Sequence, residues 1–213
     1  MTDYTLYCFA QSGHSYKVAS YLNLAGLHWS PRFVDFFAGE ARSPEYRQIN
    51  SMGECPVLVH GDVKLSQSGV ILDYLVKETG QFAPANEADA REVLRWVLWD
   101  NHKGSSQFGT MRFMLNFLPE KHRNEAVNSF LLGRCKAALT ILNDHLNGRG
   151  WMVGSAPTLA DLCCSSYLFY PEPFGFERAN LPHIDAWLTR LEALPNWQHP
   201  YDLMPGHPLP GTA

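Results

Sequence analysis

No run of about 18 apolar residues, the length needed to span a bilayer, occurs in this chain, so a membrane-spanning helix is not expected. The start, Met1-Thr2-Asp3-Tyr4, has no basic segment followed by an apolar stretch, so a secretory leader is not expected either. Lys and Arg form no cluster, and the net charge of -4 argues against a general binder of nucleic-acid backbone. The five cysteines (Cys8, Cys55, Cys135, Cys163 and Cys164) are scattered, with no C-x-x-C and no zinc spacing. That pattern excludes a disulfide framework or zinc site and suits a reducing cytoplasm. No internal repeat or low-complexity tract is present. What is present is a 213-residue chain with 46% hydrophobic residues, enough for two small domains with real cores.

The stretch from Cys55 to Leu75 is the most informative. Cys55-Pro56-Val57-Leu58-Val59 reads as a strand beginning at a proline. His60-Gly61-Asp62 reads as a turn, Val63 to Ser66 as a second strand, and Ile71, Tyr74 and Leu75 recur at helical spacing. Gln67-Ser68 therefore stands at a helix N-terminus, whose unpaired N–H groups and positive end suit a carboxylate. Upstream, Tyr4 to Ala10 reads as an aromatic-rich strand and Gln11 to His14 as a loop. His14 or Ser15 opens a helix ending near Ala25, with Gly26 as its stop. His28 to Phe36 reads as an edge strand because of Pro31, and Ser43-Pro44-Glu45 as a capped helix start.

The order β-α-β-α-β-β-α predicts a mixed sheet with packed helices over residues 1–81. A linker follows at 82–86, then an all-helical domain over 87–200 and an extended, proline-rich tail over 201–213. In the helical part Val93, Trp96, Val97 and Asp100 begin a long helix, Ala126 to Leu142 mark a second, and Leu159 to Ser166 a third with Thr158 and Asp161 at capping-box spacing. Ile184 to Leu191 mark a fourth.

Over almost its whole length the chain resembles the soluble glutathione transferases. The resemblance rests on the aromatic first strand followed by Ser12-Gly13-His14-Ser15-Tyr16-Lys17, on Ser43-Pro44-Glu45-Tyr46, and on Pro56 before a strand. Gln67-Ser68-x-x-Ile71-x-x-Tyr74-Leu75 and Thr158-Leu159-Ala160-Asp161 complete it. It implies a thioredoxin-like first domain with a four-stranded mixed sheet, an all-α second domain, a cytoplasmic homodimer, glutathione as co-substrate and no metal. It also implies that Pro56 is a cis proline, that Cys55 before it offers backbone groups to the cysteinyl unit, and that Gln67 and Ser68 bind the γ-glutamyl end. Ser12 falls where the family often places the residue that touches the glutathione sulfur, as in bacterial members with serine there. Two departures flank that place: Cys55 where an aliphatic residue is commoner, and His14 where bacterial relatives often have Asn.

The chemistry needs a thiolate. A free thiol titrates near 8.5, and lowering this by about two units takes roughly 2.7 kcal/mol of preference for the anion. A helix N-terminus contributes about 0.3–1 kcal/mol, and a hydrogen bond to a charged group about 1.5–3 kcal/mol. A hydroxyl such as Ser12 added to the helix end suffices where the dipole alone does not. Against this, Ser12 reads equally as a turn residue and Ser15 as the cap. His14 reads as a donor to the sulfur, as a support for a glutathione carboxylate, or as a solvated loop residue. Cys55 reads as a small buried thiol or as a redox group.

For the electrophile the resemblance points between the domains, to Phe9, Asn101, His102, Phe108, Met111, Arg112 and Phe113, with Lys103 and Arg112 attracting an anionic substrate. Asp100 is the candidate to reach a neighbouring subunit's glutathione amine. Three functions share this pocket: conjugation of glutathione to a small electrophile, glutathione-dependent disulfide oxidoreduction assisted by Cys55 or His14, and non-catalytic binding.

Overall fold

The computed structural model describes residues 3–209. Its chain divides into two compact units. One takes in the chain up to Gln81 and the stretch from Leu194 onward, the other Phe82–Ala193.

In the first unit, β1 (Tyr4–Cys8), β2 (Trp29–Phe33), β3 (Val57–His60) and β4 (Val63–Ser66) form one sheet in the order β2-β1-β3-β4. β1 runs parallel to β2 and antiparallel to β3, and β3 and β4 form a hairpin. Alternation along β1 buries Tyr4, Leu6 and Cys8 on one face and turns Tyr7 to the other. There Tyr7 packs against Val34, Ala41, Tyr46 and Val57. Helices α1 (Gly13–Leu24) and α3 (Ser68–Thr79) pack on each other, with Val18, Leu22, Ile71, Leu72 and Leu75 wholly buried. The short α2 (Pro44–Ile49) starts as its sequence predicts: Ser43 Oγ accepts from the Tyr46 amide (3.1 Å) and Pro44 is the first helical residue.

Local differences from the sequence reading have physical causes. β3 begins at Val57, not Cys55, because Pro56 has no N–H to give the ladder; the Cys55–Pro56 peptide is cis, as the resemblance implied. Pro31 is accommodated because β2 is an edge strand. α1 begins at Gly13, earlier than expected, because Ser12 and not Ser15 is its cap. It ends in a Schellman turn: Gly26 at φ 65° donates to the Asn23 carbonyl and Leu27 to that of Leu22, each at 3.0 Å.

The expected extended tail over 201–213 is corrected. Pro200–Leu203 form a helical turn, α9, that packs on α1, and the chain to residue 209 stays with the first unit. Residues 210–213 lie outside the described residues.

The second unit is helical: α4 (Glu87–Lys103), α5 (Ser105–Asn116), α6 (Glu125–Leu146), α7 (Leu159–Ser165) and α8 (Pro182–Glu192). The Thr158–Asp161 capping box is formed, and the buried Asp161 carboxylate also accepts from the Met152 amide (2.8 Å) and Trp187 Nε1 (2.9 Å), tying α7 to α8. The long first helix expected here is two helices. At Gly104 the backbone leaves helical geometry (φ -85°, ψ -94°), and the Asp100 carboxylate turns in to accept from Ser105 N (3.2 Å) and Oγ (2.8 Å). Asp100 is thus a buried structural group, 1% exposed, which corrects its assignment to a neighbouring subunit's ligand.

A Cβ on Gly104 would lie 2.8 Å from Asp100 Oδ1 and 3.3 Å from the Asp100 Cα. Gly104→Ala is therefore expected to displace that carboxylate and destabilise the protein by about 1–3 kcal/mol, seen as a lower urea midpoint at unchanged m. An unshifted midpoint would contradict the close approach.

Candidate functional site

Register alone brings the first-unit candidates to one end of the sheet. Tyr7 pairs with Val57 and Val57 with Ser66, while Cys8 pairs with Phe33. The C-terminal ends of β1, β2 and β4 and the N-terminal end of β3 therefore coincide. The segments leading from those ends carry Phe9 and Ser12, Phe36, Gln67 and Ser68, and Cys55 and Pro56.

Ser12 caps α1. Its Oγ accepts from the Ser15 amide (3.1 Å), its carbonyl from the Tyr16 amide (2.9 Å), and its own N–H donates to the Phe9 carbonyl (3.1 Å). A hydroxyl has one proton and two acceptor sites, so capping uses a lone pair and leaves the proton to give elsewhere. The cap and the donor are one oxygen. Ser12 is only 6% exposed, a setting of low dielectric that strengthens such a bond.

His14, the second residue of α1, is partly buried. Its Nδ1 lies 3.4 Å from Lys17 Nζ, one turn on. Burial first, and the Lys17 charge second, push its pKa down to about 3, so it is neutral at physiological pH. With Nδ1 accepting from Lys17, the ring proton sits on Nε2. A donor at His14 is therefore a neutral imidazole N–H.

α3 differs from the other helices of this unit. Among the described residues α1, α2 and α9 are capped by the side chains of Ser12, Ser43 and His199, whereas α3 has no side-chain cap. Ser68 is its first residue, not its cap, and the cap position belongs to Gln67 at φ 67°. A positive φ is costly for a residue with a side chain, on the order of 1–3 kcal/mol, and such costs concentrate at functional sites. The Gln67 amide donates to Glu54 Oε2 (2.9 Å) and meets Met52 Sδ (3.3 Å).

Cys55 turns inward, packing on the cluster of Tyr46 and Val57 and lying 3.1 Å from the Tyr46 hydroxyl. Burial raises its thiol to about 11, outweighing the hydroxyl contact that favours the thiolate; Glu40 raises it further. Phe9 stacks on Phe36 with ring centroids 4.7 Å apart, and the exposed Phe37 meets both edge-on.

The candidates from the second unit do not converge. Asn101, His102 and Lys103 are exposed on the last turn of α4. Phe108 and Met111 are 1% and 2% exposed, and Phe108 packs on Phe174. Arg112 is 2% exposed, pairs with Glu172 (2.8 Å) and lies over the Tyr170 ring (4.0 Å). Phe108, Met111 and Arg112 are thus buried, and Arg112 has the carboxylate that a buried Arg needs. Phe113 remains partly exposed, at 38%.

Sequence reading missed Glu54, Met52, Phe36, Phe37 and Lys17. Only Lys17 left a signal, three residues from His14 on one helix. Among the described residues no group of three or more His, Cys, Asp and Glu could hold a metal ion, and no helix is long and apolar enough to cross a membrane.

Family models meet the chain on both units. Residues 2–77 match the N-terminal domain of glutathione S-transferase and residues 107–195 its C-terminal domain. The chain belongs to the glutathione S-transferase family. Glutathione S-transferase theta-2 of Mus musculus is 28% identical over 197 residues, 88% of this chain and 80% of that one. Glutathione S-transferase 1 of Dianthus caryophyllus is 27% identical over 190 residues, 86% of each chain. A crystal structure of a glutathione S-transferase from Pseudomonas fluorescens superposes with a TM-score of 0.85 at 27% identity, covering 92% of this chain and 97% of that one. The transferase fold of this chain, a thioredoxin-like unit with a four-stranded mixed sheet followed by a helical one, is that of the family.

Two measurements check the electrostatics. Below pH 6.5 the unfolded chain protonates His14, while the folded chain resists until about pH 3, so His14 costs stability as pH falls through that window. Its contribution to the slope is at most about 1.4 kcal/mol per pH unit. His14→Gln is expected to flatten the stability profile there, and parallel profiles would contradict it. At pH 8, Cys55 with its thiol at about 11 should alkylate roughly two orders of magnitude more slowly than an exposed thiol, followed by peptide mass spectrometry.

Proposed function

We propose that this family member is a glutathione transferase of the bacterial, serine-using type, in which bound glutathione loses its thiol proton and the sulfur attacks a small electrophilic carbon. The observation that carries this reading is the Ser12 hydroxyl, spent as an acceptor on α1 yet still able to donate, at the same sheet end as the uncapped α3. In this reading the Ser12 proton meets the thiolate, and neutral His14 adds an Nε2–H donor beside it. The backbone groups of Cys55, before cis Pro56, meet the cysteinyl unit. The N–H groups of the uncapped first turn of α3, at Ser68, take the γ-glutamyl carboxylate, and Gln67 at the cap position adjoins the same γ-glutamyl end. The exposed Phe37, backed by Phe9 and Phe36, offers an aromatic face to the electrophile; Asn101, His102, Lys103 and Phe113 are the exposed candidates of the second unit.

Disulfide oxidoreduction in the same pocket is less favoured, because a Cys55 thiol held near 11 is a poor nucleophile at neutral pH. A homodimer is supported by Leu94 and Leu98, 58% and 61% exposed one turn apart on α4, and by Met52 and Val70 in the first unit, 59% and 53% exposed. A cytoplasmic location is supported by five cysteines that are all thiols, and a detoxifying role follows only from the conjugation chemistry proposed above.

Ser12→Ala tests the reading. Losing a hydrogen bond worth about 1.5–3 kcal/mol to the anion should lower turnover with an aryl halide by roughly ten- to hundredfold, while glutathione binding at low pH persists. Unchanged turnover removes Ser12 from the chemistry. A folded wild-type protein that does not bind immobilised glutathione favours the non-catalytic alternative.

A further inference from the structure

The stretch after Leu194 returns to the first unit at the loop that carries Ser12. The Ala10 amide donates to the Pro205 carbonyl (2.8 Å) and the Gln11 Nε2 to the Gly206 carbonyl (2.7 Å). Two consecutive loop residues thus hold two consecutive carbonyls nearly two hundred positions away in the chain. One turn further along α1 the Tyr16 hydroxyl donates to the Gln198 carbonyl (2.8 Å), and near the helix end the Asn23 amide donates to the Asn196 carbonyl. The residues gripped are interior ones: Ala10, Gln11, Ser12 and Tyr16 are between 0% and 6% exposed.

The returning segment is itself ordered. His199 caps α9, and the Tyr201 and His207 rings stack face to face with centroids 3.7 Å apart. At Gly206 (φ 97°) an added Cβ would lie 2.4 Å from Phe33 Cε2, so the segment passes β2 at a distance only glycine allows.

We propose that residues 196–206 form a clamp that sets the position of the Ser12 turn, with Gln11 and Tyr16 as positioning residues. Ser12 lies between the end of β1 and the first turn of α1, at φ -89° and ψ 107°. The direction of its hydroxyl follows from the placement of the backbone on either side. The clamp bonds fall on both sides, at residues 10 and 11 before Ser12 and at residue 16 after it. A donor that stabilises a developing charge is effective in proportion to how firmly it is aimed. The clamp thus completes the sulfur site from the far end of the chain. That last step rests on the reading of Ser12 given above; the fixing of the turn does not.

The test uses the full chain with Gln11→Ala and, as the milder change that deletes one oxygen, Tyr16→Phe. Hydrogen exchange of the Ser15 and Tyr16 amides, which needs no ligand, is expected to quicken about tenfold in Gln11→Ala and severalfold in Tyr16→Phe, with α8 amides unchanged. Ultraviolet titration of bound glutathione is expected to show a threefold to tenfold smaller ionisation constant for its thiol in both variants, with affinity for the protonated form unchanged within about twofold. Unchanged exchange in both variants overturns the clamp. Faster exchange with an unchanged ionisation constant overturns its action on the sulfur site. If the wild-type protein binds no glutathione, the sulfur-site claim falls with the proposed function, while the exchange data still decide whether the clamp exists.

Discussion

The hydrogen bond from the Ser15 amide to the Ser12 hydroxyl is the constraint on which the site depends. It ends the loop after β1, starts α1, and orients an oxygen whose proton remains to be given. A helix cap of this kind contributes about 1 kcal/mol to folding. The same geometry serves an anion, because the first turn that needs a cap is also the positive end of the helix. Stability and proposed chemistry therefore draw on a single placement. Burial keeps His14 neutral and the inward Cys55 protonated, so neither side chain brings a charge to this end of the sheet.

Sheet register does the rest of the assembly. The pairings of Tyr7 with Val57 and Val57 with Ser66 place residues from three separate stretches at one end without any long loop. The helical unit is organised on its own terms around two buried acids, Asp100 and Asp161, and one half-buried one, Glu172. Asp161 joins α7 to α8, Asp100 starts α5, and Glu172 neutralises Arg112. Each of these carboxylates is consumed by structure, and with them much of the polar chemistry of that unit.

Strands and helix starts were largely legible in residue type and spacing: Pro31 at an edge, Ser43-Pro44 at a start, Thr158 and Asp161 as a box. The cis bond at Pro56 was legible only through the family resemblance. Other features left no local trace. The break at Gly104 was hidden because apolar spacing continues across it and the decisive partner is the Asp100 side chain folding back. The positive φ of Gln67 was hidden because it is not a glycine. Arg112 reads from sequence as a free cation, since Glu172 lies 60 residues away. The return of the C-terminal stretch was invisible because its grip is on backbone carbonyls, which every residue has. Phe108 and Met111 show the commoner fate of apolar residues at helical spacing, burial in a core.

The central claim is that the site binds the ionised sulfur of glutathione better than the neutral one. Titrating the wild-type complex by the ultraviolet absorbance of the thiolate measures this directly. The account predicts a thiol pKa lowered by about one to two units relative to glutathione in buffer, the equivalent of roughly 1.4–2.7 kcal/mol. A bound thiol that titrates where the unbound one does would contradict it.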